Sequence, residues 1–193
     1  MTAGAKPKRA IKAATLETAR LILRPLQPRD AADIFEYASD PEVTSHVRFV
    51  THKSIKATRA FLAAADHSRR QGETMVWAIT LKATKKMIGT CGFVEFARAH
   101  RRAEVGYALN RNYWGRGYTS EAVAAVVARG FSALNLNRIE AHVAPDHLPS
   151  QRVLEKCGFV AEGILRQHEW IKGRWHDSKI YALLASEFKA RRL

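Results

Sequence analysis

Hydrophobic and polar residues follow two periods along this chain, and each change of period predicts a new element. Alternation at period two, as in Met75, Trp77, Ile79 and Leu81, is typical of half-buried strands. Patterns of this kind predict strands over residues 21–26, 75–81, 87–96, 104–109, 139–143, 159–169 and 174–184. Apolar residues at helical spacing predict four helices, over residues 30–39, 54–70, 123–134 and 149–158.

The order of these elements is mixed and shows no internal repeat, which predicts one α+β domain. Its sheet is expected to be twisted, mixed and mainly antiparallel, with helices on its faces. The length of 193 residues and the 47% hydrophobic content suit one core. Residues 1–14 carry Lys6, Lys8, Arg9 and Lys12 but no acid and no apolar signal region, so they are interpreted as a basic, disordered tail. Residues 15–193 then form the domain.

The stretch from Asn112 to Glu121 carries the strongest chemical signal. It follows the strand pattern at 104–109 and leads into the long helix, with Gly115 and Gly117 between them. Glycines allow a sharp turn and a close approach of the backbone to a ligand. The free N–H groups of the first helical turn and the positive end of the helix dipole suit a phosphate. The alternative is a plain turn between a strand and a helix.

The same stretch does not match the sequence patterns of two commoner phosphate-binding sites. It lacks the Gly-x4-Gly-Lys-Ser/Thr pattern of a P-loop. It also lacks the third glycine and the later acid of a dinucleotide-binding fold.

Four ordered stretches together resemble the GNAT superfamily of N-acetyltransferases, in particular the branch that acetylates the N-termini of ribosomal proteins. They lie at residues 103–107, 113–122, 148–159 and 175–181, and residues 18–25 near the start resemble the family as well. Asn112-x-x-Gly115-x-Gly117 resembles the acyl-CoA pyrophosphate loop, although Asn112 departs from the usual glutamine or arginine.

The resemblance implies transfer of acetyl from acetyl-CoA to a primary amine, on a sheet that splays open at the acyl-CoA site. Backbone groups of the strand beside the splay are expected to pair with the pantetheine arm. The implied cosubstrate contacts are Tyr107, Ala108, Leu109, Asn112, Trp114, Gly115, Arg116, Gly117, Tyr118, Thr119, His147 and Ser150. His147 stands where this branch has an asparagine.

Acetyl transfer needs a base for the amine and stabilisation of the leaving thiolate. Glu104 is the candidate base, with Glu140 as its rival, although Glu104 could instead pair with Arg101 or Arg102 as a surface acid. Ser150 is the candidate group for the thiolate, because Leu154 occupies the position of the tyrosine used by many GNAT enzymes. The substrate groove is expected to involve the remaining candidates, Phe49, Glu140, Asp177 and Tyr181, with a buried structural role for Tyr181 as the alternative.

The net charge of +14 favours polyanionic partners, which include CoA itself and RNA or a ribosomal surface. A protein N-terminal amine is the expected acceptor, with small amines or aminoglycosides as the enzyme alternative and a basic RNA-binding module as the alternative of another class. The eight histidines show no metal-ligand spacing, so no metal is predicted. Two unpaired cysteines and the absence of a long apolar run favour a cytoplasmic protein, monomeric or homodimeric and without a membrane span.

Overall fold

The computed structural model of the protein describes residues 14–190. Within that range the strands are Leu16–Glu17 (β1), Leu21–Pro25 (β2), Met75–Leu81 (β3), Met87–Ala97 (β4), Arg102–Leu109 (β5), Arg138–Val143 (β6), Val160–Ile171 (β7) and Arg174–Leu184 (β8). The helices are Ala31–Ala38 (α1), Pro41–Thr44 (α2), Ile55–Arg70 (α3), Tyr118–Ala133 (α4), Leu148–Lys156 (α5) and Ala185–Ala190 (α6). None of the helices in this range is long and apolar enough to cross a membrane.

The strands form one mixed sheet in the order β1-β2-β3-β4-β5-β6-β8-β7. All neighbours are antiparallel except β5 and β6, which run parallel. The prediction of an α+β fold with a mainly antiparallel sheet is confirmed. β5 and β6 pair only over 102–104 and 138–140, ending at Glu104 opposite Glu140. Beyond this point β5 and β6 continue without pairing with each other, so the sheet splays open there as expected.

Helices cover both faces of the sheet and bury two hydrophobic clusters. The larger cluster packs α4 and α5 against strands β2 to β6 and β8, with Val123, Val126 and Val127 of α4 almost fully buried. The smaller cluster lies under α1 and α3 and includes Ile34 and Tyr37. Each such aliphatic side chain contributes about 1.5–3 kcal/mol by leaving water. The two clusters fix the strands on either side of the splay.

Most predicted elements are present, with small shifts at their ends, but three short ones were not predicted. These are β1, α2 and α6. The Asp40-Pro41 pair, which directly follows the helix predicted over residues 30–39, begins α2. The side chain of Asp40 accepts a hydrogen bond from the Glu42 backbone N–H at 2.9 Å, and Pro41 occupies the first turn.

The predicted N-terminal tail lies outside the described residues except for Ala14. The carbonyl of Ala14 accepts a hydrogen bond from the indole N–H of the buried Trp77 at 2.8 Å. At the C-terminal end of the described residues, α6 follows β8 directly and packs on the core, because the Phe188 ring packs at a tilt against Phe131 of α4 with centroids 5.0 Å apart.

Candidate active site

The glycine loop has the geometry of an anion site at a helix N-terminus. Gly115 and Gly117 have φ angles of +73° and +75°, a region in which residues with a Cβ are strained. A Cβ at Gly115 would meet nothing within 4 Å, so the loop face is open. Gly117 is the N-cap of α4, and no side chain caps the helix there. The first N–H groups of α4 therefore remain available for an external acceptor.

An ion pair between Arg20, near the start of the described residues, and Glu121 stabilises this loop. Glu121 in the first turn of α4 accepts hydrogen bonds from Thr18 at 2.6 Å and from the Arg20 backbone N–H and Nε at 2.8 and 2.7 Å. Arg20 also donates to the Arg116 carbonyl at 2.9 Å and stacks over the Tyr118 ring. Burial opposes the charge of Glu121, but these hydrogen bonds outweigh it and lower the pKa of this carboxyl. The stretch at 18–25 thus fixes the loop.

The open edge of β5 offers backbone groups from alternate residues. Asn110 donates its backbone N–H to Ile88 of β4 at 2.8 Å, and Ala108 lies opposite Thr90 of the same strand. Alternation in an antiparallel pair therefore turns the backbone groups of Tyr107 and Leu109 towards the splay. The backbone groups of Ala108 instead face β4, so a contact of this residue with the cosubstrate stays a prediction. The Leu109 carbonyl accepts from the Trp114 indole N–H at 2.8 Å.

Ser150 and Tyr107 form a hydroxyl pair across the splay. The Ser150 Oγ lies 2.7 Å from the Tyr107 hydroxyl, and the tyrosine also donates to the Ser150 carbonyl at 3.3 Å. Burial raises the pKa of Tyr107, against the smaller opposing effect of Ser150, so the phenol stays protonated. Ser150 is 8% exposed and lies in the first turn of α5. The pair can present a hydroxyl group to a developing negative charge.

His147 contacts another histidine from a distant loop. Its ring stacks on His46 with centroids 4.2 Å apart and planes 12° apart. Burial, with the neighbouring His46 as a second cause and Asp146 opposing, lowers the pKa of His147 to about 4. The contact ties residues 45–54, between α2 and α3, to the start of α5.

Glu104 lies at the end of the β5–β6 pairing and is bound by an arginine from the loop between α2 and α3. Its carboxylate is 8% exposed and lies 2.8 Å from Arg48, which also contacts Glu169 at 2.5 Å. Burial opposes the charge of Arg48, but both carboxylates outweigh it and raise the pKa of Arg48. The alternative pairing of Glu104 with Arg101 or Arg102 is wrong. Those two side chains bind Asn135 and Glu140.

Glu140, the rival base, is held differently. It accepts from Arg138 Nε at 2.6 Å and lies 3.3 Å from Arg102. Two guanidinium groups therefore share this carboxylate, whereas Glu104 shares one guanidinium with Glu169. Of the two carboxylates, Glu104 therefore contacts fewer guanidinium groups and is the more available proton acceptor.

A groove of about 320 Å³ opens beside Glu104 and Glu140. β6 and a bulge of β7 form its other side, with His142, His168 and Ile180 among the lining residues. The bulge lies between Leu165 and Glu169 and contains Gln167 at a φ of +49°. The bulge turns His168 into the groove and Glu169 towards Arg48, neither of which the strand pattern of the sequence indicates.

Three predicted groove residues lie elsewhere. Asp177 and Tyr181 alternate with Ile180 on β8 and therefore lie on its opposite face. Tyr181 is fully buried and donates to Glu155 at 2.9 Å, which makes the structural alternative correct. Asp177 is exposed and accepts from the Gln167 backbone at 2.8 Å. Phe49 does not line this groove, and its ring packs near Phe61 of α3 with ring centroids 5.9 Å apart.

The candidate site thus combines a splayed β5–β6 pair, an uncapped glycine loop and a buried acid beside a groove. The profile of the family described as "Acetyltransferase (GNAT) domain" matches residues 20–160. The chain belongs to the GNAT family. The resemblance inferred from the sequence motifs is confirmed.

Individual relatives agree with this assignment. The uncharacterized N-acetyltransferase p20 of Bacillus licheniformis is 40% identical over 174 residues, which cover 90% of this chain and 98% of the relative. The [ribosomal protein uS5]-alanine N-acetyltransferase of Escherichia coli is 25% identical over 178 residues, covering 90% of this chain and 92% of the relative. A GNAT acetyltransferase structure from Bacillus anthracis superposes with a TM-score of 0.80 at 28% identity, covering 90% of this chain and 99% of that one.

As a member of this family, the protein is an acetyl-CoA-dependent N-acetyltransferase. Acetyl-CoA is its cosubstrate and an amine is its acceptor. The residues present fit the cosubstrate, because the uncapped N-terminus of α4 and the free edge of β5 offer donors for a pyrophosphate and an amide-bearing arm.

Proposed function

We propose that the acceptor is the α-amino group of a protein N-terminus. The observation that carries the proposal is Glu104, a nearly buried carboxylate at the floor of a groove that opens to solvent at the apex of the splay. An extended peptide can enter such a groove by its end, with its amine directed at the carboxylate. The E. coli relative, whose name specifies a protein N-terminal alanine, supports the same acceptor class.

Glu104 acts as the base, directly or through a water molecule. An α-amino group has a pKa of about 8, against about 10.4 for a lysine side chain. A larger fraction of an α-amine is therefore neutral near pH 7, and one carboxylate suffices to remove the remaining proton. Arg48 orients Glu104 by pairing with it at 2.8 Å. Glu140 is the residue to test next if Glu104 proves to be structural.

Ser150 stabilises the leaving thiolate. Its hydroxyl lies on the inner side of the splay, and Tyr107 at 2.7 Å fixes its orientation. Because the Tyr107 phenol remains protonated, it can renew the hydrogen bond when Ser150 turns towards the sulfur. This arrangement replaces the acid tyrosine whose position Leu154 occupies in this chain.

The cosubstrate is held by the remaining residues in two groups. The amides that follow Gly115 and Gly117 bind the pyrophosphate, with Arg116, Tyr118 and Thr119 in the same loop and helix start. The backbone groups of Tyr107 and Leu109 pair with the pantetheine arm as an added strand, which requires Trp114 to share or release the Leu109 carbonyl. Asn112 and His147 flank these two regions.

The β7–β8 hairpin suits a chain that extends beyond the amine. Its tip reaches the end of α2, because the Lys172 ammonium donates to the Thr44 carbonyl. Beside the tip, Trp170 and Trp175 are 61% and 56% exposed and contact each other edge to face. Such a pair offers apolar area to the residues that follow an acceptor N-terminus.

A panel of amines tests the proposal. Peptides with a free N-terminus and acetylated lysines are compared with the same peptides carrying a blocked N-terminus and free lysines, and with spermidine and an aminoglycoside. Release of CoA thiol is the measurement, and mass spectrometry locates the acetyl group. Acetylation confined to the free N-terminus supports the proposal. A higher kcat/KM for spermidine or the aminoglycoside would replace it with a small-amine function.

We further propose that the protein is cytoplasmic, as a monomer or homodimer, and that its net charge of +14 brings it to ribosomal or other RNA surfaces. Binding of this kind weakens steeply with salt. Titration of a fluorescent RNA at several salt concentrations measures the slope, and sedimentation measures the oligomeric state. If RNA but not CoA raised the melting temperature, an RNA-binding module would be the better description.

A further inference from the structure

Two histidines and a glutamate from separate parts of the chain meet on one side of the groove. His142 lies on β6, whereas His168 and Glu169 belong to the bulged part of β7. One nitrogen or oxygen atom of each lies within 4.8 Å of the others. The two imidazole rings meet edge to face with centroids 5.3 Å apart. Because His168 is exposed, burial of apolar surface does not account for this convergence.

Two imidazoles and one carboxylate are a recurrent protein ligand set for zinc, with a fourth position left to water. Ligands of one tetrahedral zinc ion at about 2.1 Å lie roughly 3.4 Å from one another. From separations of up to 4.8 Å, side-chain rotation would need to bring the ligand atoms up to roughly 1.4 Å closer together. Ser178, 2% exposed, donates to Glu169 at 3.3 Å and steadies the carboxylate from behind, as partners of metal ligands commonly do.

A cation already contacts two of these three groups. The Arg48 guanidinium lies 2.5 Å from Glu169 and 3.4 Å from the Nδ1 of His142. Arginine only donates hydrogen bonds, so a hydrogen bond from Arg48 requires the His142 tautomer in which Nδ1 carries no proton. The side chain of Arg48 is 44% exposed and comes from the loop at residues 45–54. Arg48 belongs to neither hydrophobic cluster.

We propose that His142, His168 and Glu169 bind a divalent transition-metal ion of the zinc type, which takes the place of the Arg48 guanidinium. The ion then faces Glu169 and the nearby Glu104, so the positive charge lost with Arg48 is replaced. The bound ion lies in the groove and blocks the approach of an amine to Glu104. This blocking rests on the proposed function, whereas the metal site itself does not.

The binding experiment uses Co²⁺ as a probe and the full chain without a histidine tag. The parent protein should bind one Co²⁺ with the visible absorption bands of a tetrahedral site, and Zn²⁺ should abolish them. His142→Ala and His168→Ala should lose the bands. His176→Ala is the matched control, because His176 lies on β8 with its Nε2 bound by Arg174 at 3.0 Å. Arg48→Ala should bind Co²⁺ several-fold more tightly, since the competing cation is gone.

The Arg48 variant separates this proposal from accidental binding by surface histidines. If Arg48→Ala bound Co²⁺ no better than the parent, or if His168→Ala kept the bands, the site would be refuted. An activity measurement then addresses the groove. Zn²⁺ should inhibit acetylation of an accepted amine over the concentration range in which it binds, and His168→Ala should resist it. Binding without inhibition would leave the metal site standing and overturn its placement on the acceptor path.

Discussion

Replacing Gly117 by valine separates the two possible roles of the glycine loop. Gly117 has a φ of +75°, and an added Cβ would meet only the Arg20 guanidinium at 3.5 Å, an ordinary contact. The cost to folding is therefore backbone strain rather than a clash. Strain of this kind is of order 1–3 kcal/mol for a residue with a Cβ. The variant should fold, with a melting temperature lower by roughly 2–4 °C per kcal/mol.

CoA binding should suffer far more than stability. The strained residue shifts the amides at the start of α4 away from the position that a pyrophosphate needs. Each hydrogen bond to a charged group contributes about 1.5–3 kcal/mol. Loss of two such bonds would weaken binding by about 3–6 kcal/mol, or roughly 10²–10⁴-fold.

Calorimetric titration with CoA measures this effect without any acceptor. Gly173→Val is the matched control, because Gly173 has a φ of +81°, no atoms near an added Cβ and a position in the β7–β8 turn. Both variants should lose similar stability, but only Gly117→Val should lose CoA. If Gly117→Val bound CoA like the parent, the loop would be only a turn between strand and helix. If both variants lost CoA equally, general destabilisation would be the cause.

Three further substitutions test individual groups. Ser150→Ala should lower kcat by one to three powers of ten, about 1.4–4 kcal/mol, with little change in acetyl-CoA affinity, as steady-state kinetics and calorimetry will show. Glu104→Gln should turn over slowly at pH 7 and recover in part at higher pH, where more of the acceptor is neutral, as compared in pH–rate profiles. His147 has a pKa of about 4 in the fold against about 6.5 when unfolded, so the folded protein binds fewer protons between these values. Its contribution to stability is complete above pH ~6.5 and is lost progressively as the pH falls towards 4. The melting temperature of His147→Asn should therefore fall less than that of the parent over this range.

Each of these tests has a result that contradicts it. Loss of acetyl-CoA binding at constant kcat would make Ser150 a binding contact. A Glu104→Gln profile that matches the parent would make that residue structural, and Glu140→Gln would then be the next variant. If the melting temperatures of the parent and His147→Asn fell equally with pH, protonation of His147 would not affect the stability of the fold.

The cosubstrate side of the site was predictable from the sequence because its signals are local. Gly115 and Gly117 follow the β5 pattern directly and precede the α4 pattern, and their positive φ angles are conformations that glycine adopts most easily. The apolar stripe of α4 fixes the direction of its N-terminus. Ser54 likewise marks the start of α3, where its side chain accepts from the Ala57 backbone. Sequence neighbours determine each of these features.

The acceptor side could not be predicted in the same way, because its residues are distant in sequence and meet only in the folded chain. Arg48 comes from an irregular loop, Glu104 from β5, His142 from β6 and Glu169 from β7. The bulge at Gln167 shifts the face on which the following β7 residues lie, and a period-two pattern cannot show such an insertion. Since one cation, Arg48, contacts three of these groups, the acceptor side behaves as a single charged unit. A substitution at any of them should therefore change the response to the others, and double-mutant cycles with Arg48 should give non-additive effects on acceptor binding.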